Sequence, residues 1–459
     1  MKQQLKNLLL PSSRRADGDL YGALDIGSSK IVCFIARASG HETPRIVGIG
    51  HQLAEGMKQG AVSNMEALQY AISQAVGAAE DMAGETLQQV TINIAGVHLT
   101  SHRAELELSL NSHEVTENDL ARIQAQGPAM LPDDPHGGPA TELLHNLPVS
   151  YALDDQKGIR DPLGMTGNLL RGQMHLVSAR FGALRTLETV IARCHLDIAG
   201  RVAAPYASGL ACLVEDEMEL GSVVIDMGAG TTSFALFFDG HMIYAGGVPL
   251  GGAHVTSDIA RGLTTSVTQA ERLKTLYGHA TPSPMDSRDM IEVPLVGEEE
   301  SEDPNTVPKA HLIRIIQPRI EETLELVRAK IEQSGFAAQA GRRVVLTGGA
   351  SQLSGVRELA QRVLDKQVRL GRPLRVARHD TQGGGGGGGG GGGRSVGAAF
   401  TGLAESTSGP AFATTAGLLA VAMQPEWAGF MAPTSGFSTR LRGGGTVINR
   451  LKRWIRQNV

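Results

Sequence analysis

Short apolar runs bounded by glycine and serine turns alternate along this chain with longer segments of helical periodicity. The segment YGALDIGSSKIVCFIARA (21–38) predicts two strands joined by a turn, a helix is predicted at about 64–83, and QQVTINIAG (88–96) predicts a further strand. The pattern of residues 21–38, a strand, an aspartate, a glycine turn and a second strand, recurs in GSVVIDMGAGTTSFALFFDGHMIYAGGVPLGG (221–252). Two strand–Asp–Gly-turn–strand units indicate an internally duplicated α/β protein.

The sequence between these two units predicts an insertion. Residues 100–178 have a more irregular pattern, with a middle rich in proline, glycine and aspartate at 127–139, and are predicted to form an inserted subdomain. A helix is predicted near 183–195, and LDIAGRVAAP (196–205) predicts the strand that leads into the second unit.

Helical patterns and glycine-rich loops dominate the rest of the chain. Residues 252–345 are predicted to be helix-rich, interrupted by the acidic run GEEESEDP (297–304), which is typical of a solvated loop. A strand, a glycine turn and a helix are predicted at 342–364. The unbroken glycine run at 383–393 favours a flexible loop. AFATTAGLLAVAM (411–423) predicts a small-residue core helix, since it is too short to span a membrane.

Composition narrows the class of protein. The 459 residues are 41% hydrophobic and 19% charged, as in an ordinary folded protein, and a net charge of −5 leads us to expect no nucleic-acid partner. Cys33, Cys194 and Cys212 are far apart and lack metal or disulfide spacing, which indicates a reducing, cytoplasmic location. Residues 1–19 are expected to be a flexible lead-in, because the apolar run there is too short for a signal peptide.

The candidate chemistry lies in two turns, LDIGSSK (24–30) and IDMGAGTTS (225–233). Each follows an aspartate at the end of an apolar strand, and glycine lets backbone N–H groups approach phosphate oxygens. Asp25 and Asp226 are predicted to face each other and to hold Mg²⁺ through water, because magnesium keeps several waters and takes few carboxylates beside substrate phosphates. Asp25 and Asp226 are also the candidate catalytic residues of this predicted Mg-ATP site. The phosphate-binding candidates are Gly27, Ser28, Ser29, Lys30, Gly228, Ala229, Gly230, Thr231 and Thr232.

One such turn alone is equally typical of an ordinary hairpin with a polar corner. A third turn, LTGGAS (346–351), follows another predicted strand, so that a shared nucleotide cleft becomes the better interpretation. The P-loop motif is absent, and the only GxGxxG match lies inside the glycine run. The histidines are dispersed without ligand spacing, so no protein-ligated zinc is expected.

The three turns, in this order, resemble the phosphate 1, phosphate 2 and adenosine motifs of the ATPase superfamily shared by actin, heat-shock chaperones and sugar kinases. The segment TSVTQAERLKTLYG (265–278) resembles the ribose-contacting helix of that superfamily, with Glu271 and Lys274 on one face. AAPYASGLACL and GPAFATTAGLL resemble its two connecting helices at the interdomain hinge. The adenosine contacts implied by the resemblance are Gly348, Gly349 and Ala350.

Within this superfamily the chain resembles the FtsA family of bacterial cell-division proteins, from about Leu20 to the C-terminus. Only the lead-in and the loop with the glycine run depart from it. The resemblance implies an actin-like duplicated α/β fold, in which two RNase H-like halves flank a nucleotide cleft. The implied parts are subdomain 1A (20–99, 180–220 and 396–423), a relocated subdomain 1C (100–179), subdomain 2A (221–251 and 331–395), subdomain 2B (252–330), a linker (424–445) and a C-terminal amphipathic helix (446–459).

A role in cell division follows from this resemblance. Members of the family bind ATP, polymerise, tether the FtsZ ring to the cytoplasmic face of the inner membrane at the division site, and recruit later division proteins. We therefore expect a peripheral membrane protein with at most weak ATPase activity. A small-molecule or sugar kinase is the alternative and needs a general-base aspartate, for which Asp239 and Asp258 are candidates. A heat-shock-type chaperone would need a β-rich domain where only a linker and a short helix are predicted.

The resemblance also implies that subdomain 2B receives the C-terminal tail of FtsZ. We expect a short partner segment with acidic and apolar character. Arg314 and Arg319 are the preferred partner-binding candidates, because they lie near the start of a predicted helix away from the nucleotide. Scattered arginines are more often solvated surface, and that alternative stays open here.

The tail TVINRLKRWIRQNV (446–459) has the pattern of a helix that lies in the plane of a membrane. At about 100° per residue its large apolar side chains fall in one arc, while its cations face the other side and suit anionic lipid headgroups. A helix docked on the protein itself would leave the cations without a purpose, and a nucleic-acid arm would not need the apolar stripe. The membrane-binding candidates are Val447, Ile448, Arg450, Leu451, Lys452, Arg453, Trp454, Ile455 and Arg456.

Overall fold

The computed structural model describes residues 19–38, 44–131, 140–297, 305–373 and 405–424. The strands are β1 (Asp19–Ile26), β2 (Lys30–Ala38), β3 (Arg45–Leu53), β4 (Met57–Lys58), β5 (Ala61–Val62), β6 (Gln89–Ile94), β7 (Leu99–Ser109), β8 (Thr141–Leu153), β9 (Gln156–Ile159), β10 (Leu169–Arg180), β11 (Asp197–Ala203), β12 (Ser222–Met227), β13 (Thr232–Phe238), β14 (His241–Val248), β15 (Met290–Glu292), β16 (Thr306–Pro308), β17 (Arg343–Thr347) and β18 (Gln367–Leu370). The helices are α1 (Met65–Ala83), α2 (Glu117–Gln124), α3 (Phe181–Arg193), α4 (Ala204–Cys212), α5 (Glu215–Leu220), α6 (Gly252–Gly262), α7 (Val267–Tyr277), α8 (Lys309–Gln333), α9 (Val356–Leu364) and α10 (Ala413–Met423).

Two five-stranded sheets share one topology. The first has the order β3-β2-β1-β6-β11 and the second the order β14-β13-β12-β17-β18. In the first sheet β1, β2 and β3 are antiparallel neighbours, and β6 and β11 run parallel to β1 on its other side. In the second sheet β12, β13 and β14 are antiparallel neighbours, and β17 and β18 run parallel to β12. Strands buried on both faces explain why these segments are nearly continuous apolar runs. The duplicated α/β fold predicted from the repeated strand–Asp–turn theme is confirmed.

The helix predicted at 64–83 is α1, which packs on β2 and β3. The side chain of Asn64 caps its first turn by accepting hydrogen bonds from the backbone of Glu66 and Ala67, and Gly84 ends it with φ of 71°. The helix predicted near 183–195 begins slightly earlier, as α3. In the second half, α8 packs against α6 and α9 over the core of the second sheet.

Residues 100–178 are more regular than their sequence pattern suggested. They form most of an antiparallel sheet of order β7-β10-β8-β9, in which β7, β8 and β10 are long strands. Along β7 the side chains of Ala104, Leu106 and Leu108 are buried while those between them are exposed, which is the alternation of a sheet with one solvated face. The prediction of an irregular segment was wrong because it relied on the residues rich in proline, glycine and aspartate at 127–139 and overlooked this period of two.

Helices α4 and α10 lie between the two large sheets and join them. Helix α10 contacts β1, β2 and β6, while α4 contacts β12 and β13, and the two helices pack closely on each other at Gly417 and Ala207. Nearly every residue of α10 is buried, so the predicted core helix is confirmed. Across the described ranges, none of the helices combines the length and the apolar character that a membrane span requires.

Several predicted features lie outside the described residues. They are the lead-in up to residue 18, the part of the proline- and glycine-rich segment at 132–139, the acidic run at 298–304, the glycine run at 383–393, the start of the closing segment at 396–404, and the linker and amphipathic tail beyond residue 424. The subdomain boundaries given above stay a prediction.

Candidate functional site

The two glycine turns have the same backbone geometry. The N–H of Gly27 donates to the carbonyl of Lys30 at 3.1 Å, and the N–H of Gly228 donates to the carbonyl of Thr231 at 3.0 Å. The Gly27 turn joins β1, which carries Asp25, to β2, and the Gly228 turn joins β12, which carries Asp226, to β13. The repeated sequence theme therefore gives two equivalent loops, one on each half of the molecule.

Asp25 is buried at the end of β1, and its carboxylate is hydrogen-bonded from two directions. Asn93 Nδ2 donates to Oδ1 at 2.8 Å, and Thr415 Oγ1 donates to Oδ2 at 3.2 Å. Asn93 also accepts a hydrogen bond from the backbone N–H of Ile26, which holds its amide in place. The position of Asp25 is thus set by β6 and α10 as well as by its own strand.

Asp226 has matching partners from the two connecting helices. Ser208 Oγ donates to its Oδ2 at 2.6 Å from α4, and Thr414 Oγ1 donates to the same oxygen at 2.8 Å from α10. The other oxygen lies beside the third turn, because a Cβ added to Gly348 would be 2.4 Å from Asp226 Oδ1. Gly348 also has φ of +85°, so glycine is required there for conformation and for space.

Burial dominates the electrostatics of this centre. It raises the pKa of Asp25 to about 6, an effect that Lys30 opposes and Asp226 reinforces. Burial also raises the pKa of Asp226, against the hydrogen bonds from Ser208 and Thr414 and the charge of Lys30. The pKa of Lys30 is lowered by burial and raised by the two carboxylates. A cation placed between the carboxylates would favour their ionised forms.

Lys30 is held at the edge of the site by the segment before α10. Its ammonium donates to the carbonyl of Ala411 and lies 4.0 Å from the centre of the Phe412 ring. The predicted phosphate-loop cation is thus present beside the cavity.

A cavity of about 540 Å³ opens between the two halves, and its wall contains residues of all three turns. Glu271 and Lys274 line it from α7, where they form an ion pair of 2.6 Å. Lys274 also donates to the hydroxyl of Thr256 at 2.8 Å and to the carbonyl of Gly252 at 3.2 Å. The lining residues that the sequence predicted are Asp25, Gly27, Ser28, Ser29, Lys30, Asp226, Gly228, Ala229, Gly230, Thr231, Glu271, Lys274, Gly348, Gly349 and Ala350.

Thr232 is a phosphate-binding candidate that the structure does not place in the cavity wall. It is the first residue of β13, it is fully buried, and its hydroxyl donates to the carbonyl of Leu250 at 2.9 Å. Thr231, one residue earlier, belongs to the turn and lines the cavity. Both hydroxyls were predicted to lie in the site because the sequence pattern does not show where the turn ends and the alternation of the strand begins.

The two partner-binding candidates differ in their surroundings. Arg319 is half-buried and bonded within the molecule, with Nε 2.5 Å from Asp258 Oδ2 and Nη1 2.6 Å from Glu322 Oε2. Arg314 is exposed on α8 and forms no ion pair with any described residue. The structure therefore leaves Arg314 accessible and assigns Arg319 a role in holding α8 to α6.

Several residues that position the two aspartates were missed in the sequence. Asn93, Ser208, Thr414 and Thr415 provide the hydrogen bonds to the two aspartates. A signal for them was present, since each is a polar residue in an otherwise apolar or small-residue segment that is predicted to be buried. Such a residue needs a hydrogen-bond partner inside the protein, although the sequence does not say which one.

Comparisons with known proteins agree with this architecture. A family model described as "Cell division protein FtsA" matches residues 223–417, and one described as "SHS2 domain inserted in FTSA" matches residues 96–178, which carry most of the inserted sheet. The chain is 40% identical to "Cell division protein FtsA" of Rhizobium meliloti (strain 1021) over 98% of this chain and 96% of that protein. It is 31% identical to the protein of that name from Pseudomonas aeruginosa, over 96% and 98% of the two chains.

One solved structure shows the same fold at low identity. A chain of the PilM–PilN type IV pilus biogenesis complex superposes with a TM-score of 0.59 at 17% identity, covering 88% of this chain and 99% of that one.

Proposed function

Since this chain belongs to the FtsA family of bacterial cell-division proteins, we propose that it binds Mg-ATP, polymerises, tethers the FtsZ ring to the inner membrane and recruits later division proteins. Its actin-like fold, with the inserted sheet in the first half, is the framework for this function. The observation that carries the nucleotide part is the pair of equivalent glycine turns that meet across one cavity, each beside a buried aspartate.

The residues around the cavity have the chemistry to bind the phosphates, the adenosine and the metal ion of Mg-ATP. Backbone N–H groups of the two turns would bind the phosphates, with Lys30 as a further cation. The turn at 348–350 would contact adenosine, and the Glu271–Lys274 pair would lie beside the ribose. Within the described residues no cluster of three or more His, Cys, Asp or Glu side chains is arranged to hold a metal. Asp25 and Asp226 would therefore hold a hydrated Mg²⁺ that takes its remaining ligands from phosphate and water.

Nucleotide binding can be tested at Gly349, which tolerates a side chain. A Cβ added there meets no atom within 4 Å, so Gly349→Leu should fill the adenosine end of the cavity without disturbing the fold. We expect ATP affinity to fall by more than about tenfold, or roughly 1.4 kcal/mol, in isothermal titration calorimetry. Gly77→Leu is the matched control, because its added Cβ also meets nothing within 4 Å and it lies on α1, away from the cavity wall. Unchanged ATP affinity in Gly349→Leu would contradict the assignment of this turn.

The kinase alternative lacks support at its two candidate bases. Asp239 pairs with Arg160, and Asp258 pairs with Arg319. Neither aspartate lines the cavity in the part of the chain that the structure describes.

Partner binding is proposed for the region 252–330. Besides Arg314, this region exposes large apolar side chains, including Val267, Leu276 and Met290. An accessible cation and exposed apolar side chains in the same region suit a short segment with acidic and apolar residues, such as the FtsZ tail. Arg314→Glu should weaken binding of an FtsZ C-terminal peptide in fluorescence anisotropy, whereas Arg193→Glu, an exposed arginine of the first half, should not. Equal affinity in both variants would move the site elsewhere.

Membrane attachment is proposed for the tail at 446–459, from its sequence pattern. Its cations contribute roughly 1 kcal/mol each near an anionic surface, so one tail binds reversibly and a polymer of many tails binds firmly. Deletion of 446–459, or Trp454→Glu, should abolish co-sedimentation with vesicles of anionic phospholipid while ATP affinity stays unchanged. A truncated protein that sediments as well as the full chain would show that the anchor lies elsewhere.

A further inference from the structure

The short β4–β5 hairpin of the first half lies at the phosphate end of the nucleotide cavity. Strands β4 and β5 are joined by only two residues, Gln59 and Gly60, which have φ of 50° and 79°. Positive φ at both positions is the geometry of a tight type I′ hairpin turn. Gly60 lines the cavity, while the side chain of Gln59 points away from its wall. The nucleotide assignment leaves this hairpin without a role.

Two hydrogen bonds fix the tip of the hairpin to the first half. The N–H of Gly60 donates to Ser28 Oγ at 3.2 Å, and Nε2 of His98 donates to the carbonyl oxygen of Gly60 at 2.8 Å, since a carbonyl can only accept. Ser28 belongs to the first glycine turn and lines the cavity. Because its oxygen accepts from Gly60, its hydroxyl hydrogen is left to donate to a phosphate oxygen. The hairpin is thus tied to one of the phosphate-binding groups.

The same tip touches the second half of the molecule. A Cβ added to Gly230, in the second glycine turn, would lie 3.0 Å from the backbone nitrogen of Gln59. The side-chain Nε2 of Gln59 donates to the carbonyl of Pro249 at 3.4 Å and lies 2.9 Å from Nε2 of His254, in the first turn of α6. The start of α6 is itself bonded to the second glycine turn through its backbone. Gln59 therefore bridges the two halves where both glycine turns meet.

From these contacts we propose that the β4–β5 hairpin is a latch that holds the two halves together at the phosphate end and slows the release of bound nucleotide. The halves are joined by α4 and α10, so opening of the cavity separates the hairpin tip from the second half and breaks the contacts of Gln59. A phosphate bound to Ser28 also fixes the hydroxyl that holds Gly60, so the ligand strengthens the latch. This inference rests on the proposed nucleotide function and concerns the regulation of that site.

Gln59→Asn in the full-length chain tests the latch. Asparagine is favoured at this turn position, so the hairpin keeps its conformation, while the shorter side chain withdraws the amide from Pro249 and His254. Release of methylanthraniloyl-labelled Mg-ADP, followed by stopped-flow fluorescence, should become about three- to tenfold faster, as for the loss of one hydrogen bond between neutral groups. Lys58→Ala is the matched control, since Lys58 is exposed on the same hairpin and forms no ion pair with any described residue. It should release the nucleotide at the wild-type rate.

Hydrogen–deuterium exchange of the nucleotide-free chain tests the latch without a ligand. Gln59→Asn should speed the exchange of amides in the hairpin (57–62) and in the facing segment (249–254), whereas Lys58→Ala should leave both unchanged. Equal release rates in the two variants, or equal exchange in both segments, would overturn the proposal. Failure of the wild type to bind Mg-ADP would contradict the proposed nucleotide function instead, and the exchange experiment would still decide whether the hairpin holds the two halves together.

Discussion

Replacing Gly417 by alanine should destabilise the protein, because α10 packs against the backbone of α4 at this residue. A Cβ added to Gly417 would lie 1.8 Å from the carbonyl oxygen of Ala207, 2.4 Å from its carbonyl carbon and 2.8 Å from its Cα. All three are main-chain atoms, so no side chain can rotate away. Restoring an ordinary contact of 3.4 Å to the oxygen requires the helices to separate by about 1.6 Å (3.4 − 1.8).

The magnitude follows from two opposing effects. Alanine is a better helix former than glycine by about 1 kcal/mol, which favours the variant. Overpacking of a close-packed core costs about 1–3 kcal/mol, and separation of the helices also stretches the hydrogen bonds from Ser208 and Thr414 to Asp226, each worth about 1.5–3 kcal/mol when the acceptor is charged. Since the hydrogen bonds are only partly lost, we expect a net loss of about 2–4 kcal/mol in the free energy of unfolding.

Urea unfolding followed by circular dichroism measures this loss, with Gly77→Ala as the matched control. Gly77 is also a helical glycine, but its added Cβ meets nothing within 4 Å, so the same substitution should raise stability by about 0.5–1 kcal/mol. The two variants should therefore shift the urea midpoint in opposite directions. If Gly417→Ala raises the midpoint as Gly77→Ala does, the reasoning about the contact between α4 and α10 is refuted.

Two further predictions concern buried and half-buried charges. Burial raises the pKa of Asp25 to about 6, so the folded protein keeps a proton that the unfolded chain loses above pH 3.8, and the stability that this proton contributes is lost as the pH rises through 6. The wild type should lose about 1.4 kcal/mol relative to Asp25→Asn between pH 5 and pH 7.5, measured by urea unfolding at both values; a constant difference would contradict the raised pKa. Arg319→Ala should cost about 1–2 kcal/mol, because it leaves Asp258 unpaired at the contact between α6 and α8, whereas Arg314→Ala should change stability by less than about 0.5 kcal/mol. Thermal denaturation of both variants tests this difference, and equal effects would contradict it.

Local sequence pattern is sufficient to predict strands and turns whose conformation depends on neighbouring residues. The two segments of apolar strand, aspartate and glycine turn predicted two similar loops, and the Gly27 and Gly228 turns have matching hydrogen bonds. The repetition of this unit predicted the duplicated fold, and the resemblance of the three turns to the motifs of the ATPase superfamily predicted most of the residues that line one cavity. The period of two along β7 is also present in the sequence, but it was overlooked beside the residues rich in proline, glycine and aspartate at 127–139.

Only the tertiary structure decided which distant groups meet. Asp226 is positioned by Ser208 and Thr414, the second of which is separated from it by most of the second half of the chain. The sequence marks these as polar residues in apolar segments but not their partners, because a hydrogen bond depends on how whole helices pack. The same reason applies to Arg319, whose ion pair with Asp258 requires α8 to lie on α6. Periodicity fixes the faces of single elements, whereas packing fixes which faces come together, and the residues of each site come from several elements.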